Sequence, residues 1–385
     1  MKIVADIDLP FIETMFGGRA KVVRLKGTSI TPDSVKDADA VIVRSVTRVD
    51  RALLDGSRAT FVGTATIGVD HVDTGWLASR GIGFASAPGC NANAVSEYLV
   101  AALLELSARF GFRLNGSTIG VVGVGNVGSR VASKASALGM KVLLNDPPLE
   151  RSTGSRRFSP LDDLMGCDIV TLHVPLTTAG TDATRHIFDH KRIGAMKRGA
   201  VLINTARGAV VDTPALSAAL AEGRLRGAVV DVWEGEPSVD PGLLSRASIG
   251  TAHIAGYSAD AKAAASMMMY DAVCARFGWE KSWKPGDRLP RPVHPLVDPA
   301  GEGRDSDRDP EETIRRVVRG CYAIMRDDGE LRKVNAMPPE ERPGYFIGLR
   351  NNYPLRREFP ATSVVRSDSP SFPAAELSNI GFRLV

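Results

Sequence analysis

The stretch VVGVGNVGSRVA, residues 121–132, decides the fold. Its glycines Gly123, Gly125 and Gly128 have the spacing G-x-G-x-x-G, directly after an apolar run and at the start of a helical pattern. In that context they allow a tight turn, close approach of the backbone to a pyrophosphate, and close packing of helix on strand. The helix start at Asn126 and Val127 offers free N–H groups to phosphate oxygens. The stretch therefore predicts a dinucleotide-binding unit.

A carboxylate strengthens this prediction. Asp146 ends the next apolar run, KVLLND (141–146), 18 residues beyond Gly128. A carboxylate there can accept hydrogen bonds from the adenosine ribose and repels a 2'-phosphate, so NAD is favoured over NADP. The alternative is a glycine-rich turn that binds nothing.

Strand candidates continue on both sides of this stretch. Those from residue 118 onward are TIGVVG (118–123), KVLLND (141–146), DIVTLH (168–173), AVLINTA (200–206), AVVDVW (228–233) and SIGTAH (248–253). They predict an α/β fold with a Rossmann-type doubly wound parallel sheet in the order 3-2-1-4-5-6. Earlier runs predict a second, flavodoxin-like α/β unit, and they are KIVAD (2–6), AVIVRS (40–45), TFVGTA (60–65) and GIGFAS (81–86).

These runs divide the chain into domains. We expect an NAD-binding domain over 94–258 and a substrate or lid domain over 1–93 plus 259–280, with the active cleft between them. The first helix of the NAD domain should be capped by Asn93 and end at Gly111. A stretch rich in proline, glycine and charge predicts a linker over 281–310. A small α+β domain should occupy 311–385.

Composition limits the classes of function. The 385 residues carry a formal net charge of +4 without a long basic block, so no nucleic-acid surface is indicated. No apolar run is long enough to span a bilayer, and the start lacks a leader pattern, which predicts no membrane partner and a cytoplasmic location. The four cysteines have no paired spacing, so we expect reduced thiols and no metal.

Candidate catalytic residues follow the predicted strands. Ligands of open α/β sheets bind at the carboxyl ends of the strands, where Arg207, Glu236 and His253 converge. A neutral histidine can take the hydroxyl proton of a 2-hydroxy acid while a carboxylate orients its ring, and an arginine can hold the substrate carboxylate. Asp231 lies deeper and suits the nicotinamide end of the cofactor. The alternative is that these are ordinary structural or solvated side chains.

Several motifs resemble a known family. VVGVGNVGSRVA, NTARGAVVDTPAL, DVWEGEP and AHIAGYS are similar to those of the D-isomer-specific 2-hydroxyacid dehydrogenases. More narrowly, FVGTATIGVDHVD, SAPGCNANAVSEY and the tail LRNNYPLRREF resemble the members that act in vitamin B6 biosynthesis. The resemblance implies oxidation of 4-phospho-D-erythronate to 3-hydroxy-2-oxo-4-phosphobutanoate with NAD, a step toward pyridoxal 5'-phosphate.

The resemblance also implies roles for individual residues. Arg207, Glu236 and His253 would be catalytic, with His253 the proton donor or acceptor. Substrate contacts would come from Ser45, Thr66 and Tyr257, and Arg44, at the same strand end as Ser45, can bind the substrate phosphate. Cofactor contacts, besides the glycine loop, would come from Asp146, Val174 through its backbone, Ala206, Asp231 and Gly256. The C-terminal domain would form a homodimer, and we hypothesise that Arg350, Arg356 and Arg357 reach the substrate phosphate of a partner subunit.

Two alternatives stay open at this point. The same trio serves related dehydrogenases that act on 3-phosphoglycerate or another D-2-hydroxy acid. The fold also suits a binding protein that senses NADH, although such a protein need not keep proton-transfer groups.

Overall fold

The computed structural model describes residues 1–299 and 309–385. Contacts within the chain form two compact units, Met1–Asn91 with Ser258–Pro290 and Ala92–Tyr257 with Arg291–Val385. Part of the predicted linker, residues 300–308, lies outside the described residues. The domain limits given above stay predictions.

The first unit is built on a parallel sheet in the order β2-β1-β3-β4-β5. Its strands are β1 (Lys2–Asp6), β2 (Lys21–Leu25), β3 (Ala40–Val43), β4 (Phe61–Thr64) and β5 (Gly83–Ala85). This is the flavodoxin-like order, as predicted. Strand β2 was not among the predicted strands, because its KVVRL pattern is only half buried at the sheet edge.

The second unit contains the sheet that follows the glycine loop. Its strands are β6 (Thr118–Val122), β7 (Lys141–Asn145), β8 (Ile169–Leu172), β9 (Val201–Asn204), β10 (Gly227–Val230) and β11 (Ile249–Gly250). All adjacent strands are parallel, and the buried runs pack between helices on both faces, which confirms the Rossmann-type fold.

The predicted strand order is wrong for these six strands. The sheet runs β11-β10-β9-β8-β6-β7, which is 2-1-3-4-5-6 in their own sequence order. The edge position beyond β7 is taken by a single bridge between Phe158 and Leu144. A strand too short to show a periodic pattern therefore occupies the place that sequence analysis gave to a full strand.

Helices connect and cover these sheets. They are α1 (Ile12–Phe16), α2 (Pro32–Val35), α3 (Arg51–Leu54), α4 (Thr74–Ser79), α5 (Ala92–Phe110), α6 (Asn126–Ala137), α7 (Pro147–Thr153), α8 (His190–Ala195), α9 (Thr213–Ala221), α10 (Pro241–Arg246), α11 (Ala259–Phe277), α12 (Pro310–Cys321), α13 (Ile324–Arg332), α14 (Arg342–Asn351) and α15 (Ala374–Ile380). Short 3-10 turns occur at Gly27–Ser29, Leu161–Gly166, Gly208–Val210, Gly286–Arg288, Lys333–Ala336 and Phe359–Ala361. Among the described residues, no helix is long and apolar enough to cross a membrane.

Helix α5 corrects one prediction and confirms another. Asn93 is not its cap, because the helix already begins at Ala92 and the Asn93 amide donates to Glu97 and Glu358 at 2.9 and 2.7 Å. Gly111 ends the helix as predicted, with φ +65, which a residue without Cβ adopts at no steric cost.

Residues 291–299 and 309–385, here called the C-terminal region, are α+β as predicted. Three short parallel strands, β12 (Leu296–Val297), β13 (Ser363–Val364) and β14 (Arg383–Leu384), form a sheet in that order. Side chains of α12, α13 and α15 join the buried cores of the Rossmann-type sheet. This shared apolar packing explains why the C-terminal region and the Rossmann fold form one compact unit.

Candidate active site

The three loop glycines differ in what surrounds them. Gly123 has φ +85, and a Cβ there would lie 2.8 Å from the carbonyl carbon and oxygen of His173. A Cβ on Gly128 would lie 1.9 Å from the carbonyl oxygen of Gly123. Apart from its neighbours in the chain, Gly125 has no protein atom within 4 Å of its Cβ position. The first and third glycines therefore permit packing, whereas the second leaves an open cradle in front of the α6 N-terminus that fits a pyrophosphate.

Asp146 is fixed beside this cradle. Its Oδ1 accepts from the Leu149 N–H at 3.0 Å and caps α7, and its Oδ2 accepts from the Val124 N–H at 2.8 Å. Ionised carboxylate oxygens have about four acceptor sites, so capacity for ribose hydroxyls is left. Val174 also lies against the loop, because its Cγ1 is 2.8 Å from the Gly123 Cβ position.

Strand register aligns the catalytic candidates. Asn204 of β9 and Gly250 of β11 both pair with Val230 of β10, so the three strands end side by side. Arg207, Glu236 and His253 therefore follow neighbouring strands at the same edge of the sheet, where ligands of doubly wound folds bind.

The closest contact among these candidates joins a histidine and a glutamate. His253 Nδ1 lies 2.6 Å from Glu236 Oε1, and the two side chains are 28 and 27% exposed. A carboxylate partner makes Nδ1 the protonated nitrogen and leaves the Nε2 lone pair for a substrate proton. The pair therefore has the arrangement of a general base and its orienting group.

Glu236 is held in its ionised form. Burial alone would raise its pKa, but the hydrogen bond and charge of His253, the Trp233 N–H and the charge of Arg350 together lower the pKa below its ordinary value. An ionised Glu236 favours the imidazolium that His253 becomes when it accepts a proton.

The loop carrying His253 is fastened by Asp231. The buried carboxylate accepts from Thr251 Oγ1 at 2.6 Å, from the Ile254 N–H at 2.8 Å and from the Ala255 N–H at 3.0 Å. His253 itself has φ +54, an uncommon conformation for a residue with a side chain. Asp231 thus holds a strained loop in place, and its predicted contact with NAD stays a prediction.

Arg207 lies on a turn in direct contact with the Glu236 loop. Asn204 accepts from the Ala206 N–H at 3.0 Å and donates to the Arg207 carbonyl at 3.0 Å, which shapes the turn. A Cβ on Gly208 would lie 2.1 Å from the carbonyl carbon of Trp233. Only glycine permits this approach, which brings the arginine and glutamate loops together.

Tyr257 lies beside the C-terminal region. The Arg350 guanidinium is 5.8 Å from the centroid of its ring, and the Tyr353 ring meets it edge-on at 5.8 Å. Gly256, which precedes it, is partly exposed.

The predicted substrate residues of the first unit lie after β3 and β4. Arg44 forms an ion pair with Asp8 at 2.7 Å, and Ser45 is exposed. Thr66 Oγ1 donates to the Gly68 carbonyl at 2.8 Å and lies 2.8 Å from Thr64 Oγ1. Their substrate contacts stay predictions.

One hypothesis about the arginines is wrong. Arg356 does not extend toward a partner subunit, because it is 5% exposed and donates to the carbonyls of Ala255 at 3.2 Å and Ala94 at 2.7 Å in its own chain.

Comparison with known proteins identifies an NAD-binding domain and related dehydrogenases, in agreement with the geometry of the site. Residues 96–255 match the model of the D-isomer specific 2-hydroxyacid dehydrogenase NAD binding domain, and residues 303–381 match a domain of unknown function, DUF3410. An erythronate-4-phosphate dehydrogenase of Sodalis glossinidius is 44% identical over 384 residues, which cover 100% of this chain and 98% of that protein. One of Marinobacter nauticus is 42% identical over 387 residues, 100% of both chains.

The chain belongs to the erythronate-4-phosphate dehydrogenase family. A solved structure, D-lactate dehydrogenase of Aquifex aeolicus complexed with NAD and lactic acid, is 28% identical with a TM-score of 0.57 and covers 72% of this chain and 95% of its own. Membership in this family of NAD-dependent oxidoreductases confirms the predicted cofactor and reaction class.

Several residues near the site of this erythronate-4-phosphate dehydrogenase family member were not predicted from the sequence. The Tyr98 hydroxyl of α5 lies 2.8 Å from Thr251 Oγ1, and the half-buried ring of His173 lies between the hydroxyls of Thr171 and Thr205. Burial lowers the pKa of His173 to about 3, so its ring is neutral at the sheet edge. Their position in the sequence could have indicated Thr251 and His173, since each directly follows a strand of the Rossmann-type sheet.

Replacing Glu236 by glutamine tests the orienting role. Glutamine can still accept from Nδ1 but cannot stabilise an imidazolium. Loss of a charge-assisted bond of about 1.5–3 kcal/mol should lower kcat/KM roughly 10- to 100-fold. Steady-state NADH formation measures kcat/KM. A titration measures the affinity for NADH, which should not change.

The same variant predicts a pH dependence of stability. The folded-state pKa of Glu236 is below its ordinary value near 4.5, so the carboxylate stabilises the fold above that pH. The difference in free energy of unfolding between wild type and Glu236→Gln should therefore be lost as pH falls through the folded-state pKa of Glu236. Urea unfolding at pH 7 and at pH 3.5 measures it, and a difference that grows in acid would contradict the assignment.

Proposed function

We propose that this protein oxidises 4-phospho-D-erythronate at C2 to 3-hydroxy-2-oxo-4-phosphobutanoate, with NAD, in pyridoxal 5'-phosphate biosynthesis. The observation that carries the proposal is the 2.6 Å pair of His253 and Glu236 at the carboxyl edge of an NAD-binding sheet. Full-length identity of 42–44% to erythronate-4-phosphate dehydrogenases supports the substrate.

His253 carries the proton in this proposal. Its Nδ1–H remains hydrogen-bonded to Glu236. Nε2 takes the proton of the C2 hydroxyl as the C2–H bond is broken. Glu236 stabilises the resulting imidazolium because its own pKa is held low. Arg207 binds the substrate carboxylate and fixes C2 in one orientation.

The residues of the second unit fit NAD, which supplies the hydride acceptor when bound. The open Gly125 position and the N–H groups of Asn126, Val127 and Gly128 would hold the pyrophosphate, and Asp146 the adenosine ribose. Val174, Ala206, Asp231 and Gly256 are proposed as further contacts. Arg44, Ser45, Thr66 and Tyr257 are proposed to bind the substrate, including its phosphate.

Two further parts of the proposal concern the whole protein. A homodimer formed through the C-terminal region is proposed from the resemblance to the family, and size-exclusion chromatography with light scattering tests it. A cytoplasmic location is proposed as well, in keeping with four cysteines that have no paired spacing in the sequence.

The test compares substrates directly. NADH formation is followed by absorbance with 4-phospho-D-erythronate, 3-phosphoglycerate and D-lactate in separate reactions, each with a 2-oxo acid present to reoxidise retained cofactor. Turnover on the four-carbon phosphate alone supports the proposal. Preferred turnover on 3-phosphoglycerate would assign a related activity, and binding of NADH without any turnover would favour a sensor.

A further inference from the structure

The C-terminal region touches the loop that carries the catalytic histidine. Its segment RNNYPLR, residues 350–356, reaches residues 253–257 at two points. Arg356 donates to the Ala255 carbonyl at 3.2 Å. Arg350 and Tyr353 both lie against the ring of Tyr257, each at 5.8 Å.

Arg356 is itself firmly held. Its second terminal nitrogen donates to the Ala94 carbonyl at 2.7 Å, at the start of α5. The guanidinium also lies over the Tyr322 ring, 3.9 Å from its centroid, and the buried carboxylate of Glu97 is 4.0 Å away. An arginine that is 5% exposed, lies over an aromatic ring and bonds backbone carbonyls through both terminal nitrogens has little freedom, so the Ala255 carbonyl is bound to a rigid donor.

The loop therefore has two supports on its backbone. Asp231 of the Rossmann-type sheet binds the N–H groups of Ile254 and Ala255, and Arg356 binds the Ala255 carbonyl. His253 lies two residues before Ala255 in a conformation that few residues adopt unaided. A change at Ala255 therefore moves the imidazole relative to Glu236 and to substrate.

We propose that the C-terminal region positions the catalytic loop of its own chain, with Arg356 as the positioning residue. The domain model that matches residues 303–381 has no known function, and the positioning role is distinct from the proposed dimer contact. The inference rests on the proposed function, because it assigns proton transfer to His253. Positioning errors of about 1 Å can lower a rate ~10²-fold, so a single buried contact is enough to matter.

A matched control exists in the same region. Arg332 of α13 also donates to two backbone carbonyls of the Rossmann-type fold, those of Leu244 and Ala247, both at 2.8 Å. These carbonyls belong to α10 and the residue after it, away from residues 253–257 in the chain. Loss of Arg332 removes the same type of contact from carbonyls outside residues 253–257, together with its 2.8 Å ion pair to Asp328.

The experiment compares Arg356→Gln, Arg356→Lys and Arg332→Gln in the full chain. Turnover of 4-phospho-D-erythronate gives kcat and KM, fluorescence gives NADH affinity, and hydrogen exchange by mass spectrometry follows residues 253–257. For Arg356→Gln we expect kcat to fall ~10²-fold with KM and NADH affinity within about threefold. Exchange at 253–257 should rise. Arg356→Lys, which keeps a positively charged donor on a single nitrogen, should recover part of kcat, and Arg332→Gln should keep kcat and exchange at wild-type values.

Other results would overturn the inference. They are a kcat for Arg356→Gln equal to wild type, unchanged exchange at 253–257, or equal losses of kcat in the Arg356 and Arg332 variants. If Arg356→Gln does not fold, Arg356→Lys decides by the same measurements. If the wild type does not oxidise 4-phospho-D-erythronate, the proposed function fails, and the exchange comparison alone decides whether Arg356 holds the loop.

Discussion

Replacing His253 by asparagine should lower kcat about 10³-fold, because general acid–base catalysis by a positioned side chain contributes roughly 10²- to 10⁴-fold. Asparagine is chosen since it tolerates the positive φ of 54° better than most residues, so the loop backbone is preserved. NADH affinity should not change, because the imidazole is assigned to proton transfer. Steady-state kinetics with 4-phospho-D-erythronate and a fluorescence titration with NADH are the measurements.

His186 provides the matched control. It too has a positive φ, 50°, and its Nε2 lies 2.7 Å from Glu234, in the same WEGEP segment as Glu236. His186→Asn therefore removes a similar histidine–glutamate contact in which no proton transfer is proposed, and it should keep kcat. A His253→Asn enzyme within tenfold of wild type, or an equal loss in His186→Asn, would refute the role of His253.

Alanine at the two downstream loop glycines should separate folding from cofactor binding. At Gly128 the new methyl group meets the Gly123 carbonyl oxygen at 1.9 Å, and backbone cannot rotate away. We expect Gly128→Ala to lose about 1–3 kcal/mol of unfolding free energy from overpacking and to lose NADH binding. Thermal denaturation and NADH titration measure the two effects.

Gly125→Ala is the contrasting variant. No protein atom beyond its chain neighbours lies within 4 Å of its Cβ position, so the melting temperature should match wild type. The methyl group would nevertheless enter the space proposed for the pyrophosphate. We therefore expect the affinity for NADH to fall roughly tenfold or more, which corresponds to a loss of binding free energy of about 1.4 kcal/mol or more. Wild-type NADH affinity in Gly125→Ala would show that the pyrophosphate does not bind at this position.

Local patterns explain why so much of the fold was predictable. The buried runs before and after the glycine loop, and the flavodoxin-like series before residue 90, are continuous in sequence. The glycine spacing is likewise local, and the structure shows a steric reason for glycine at Gly123 and Gly128. The predicted strand order and the Asn93 cap were wrong, because one strand is too short to show a pattern and one contact joins residues far apart in the chain. Phe158 contributes a single bridge, and Asn93 is drawn into a helix whose side-chain partners include Glu358, 265 positions away.

The sequence by itself determined the α/β class, the NAD loop and the identity of the candidate catalytic trio, because strand ends and glycine spacing are recorded in adjacent residues. Only the tertiary structure showed the 2.6 Å contact between His253 Nδ1 and Glu236 Oε1, and the second pair, formed by His186 and Glu234. It also decided that Asp231 and Arg356 hold the histidine loop. Such contacts join residues far apart in the chain, and their geometry arises only when parallel strands align and buried polar groups must find partners.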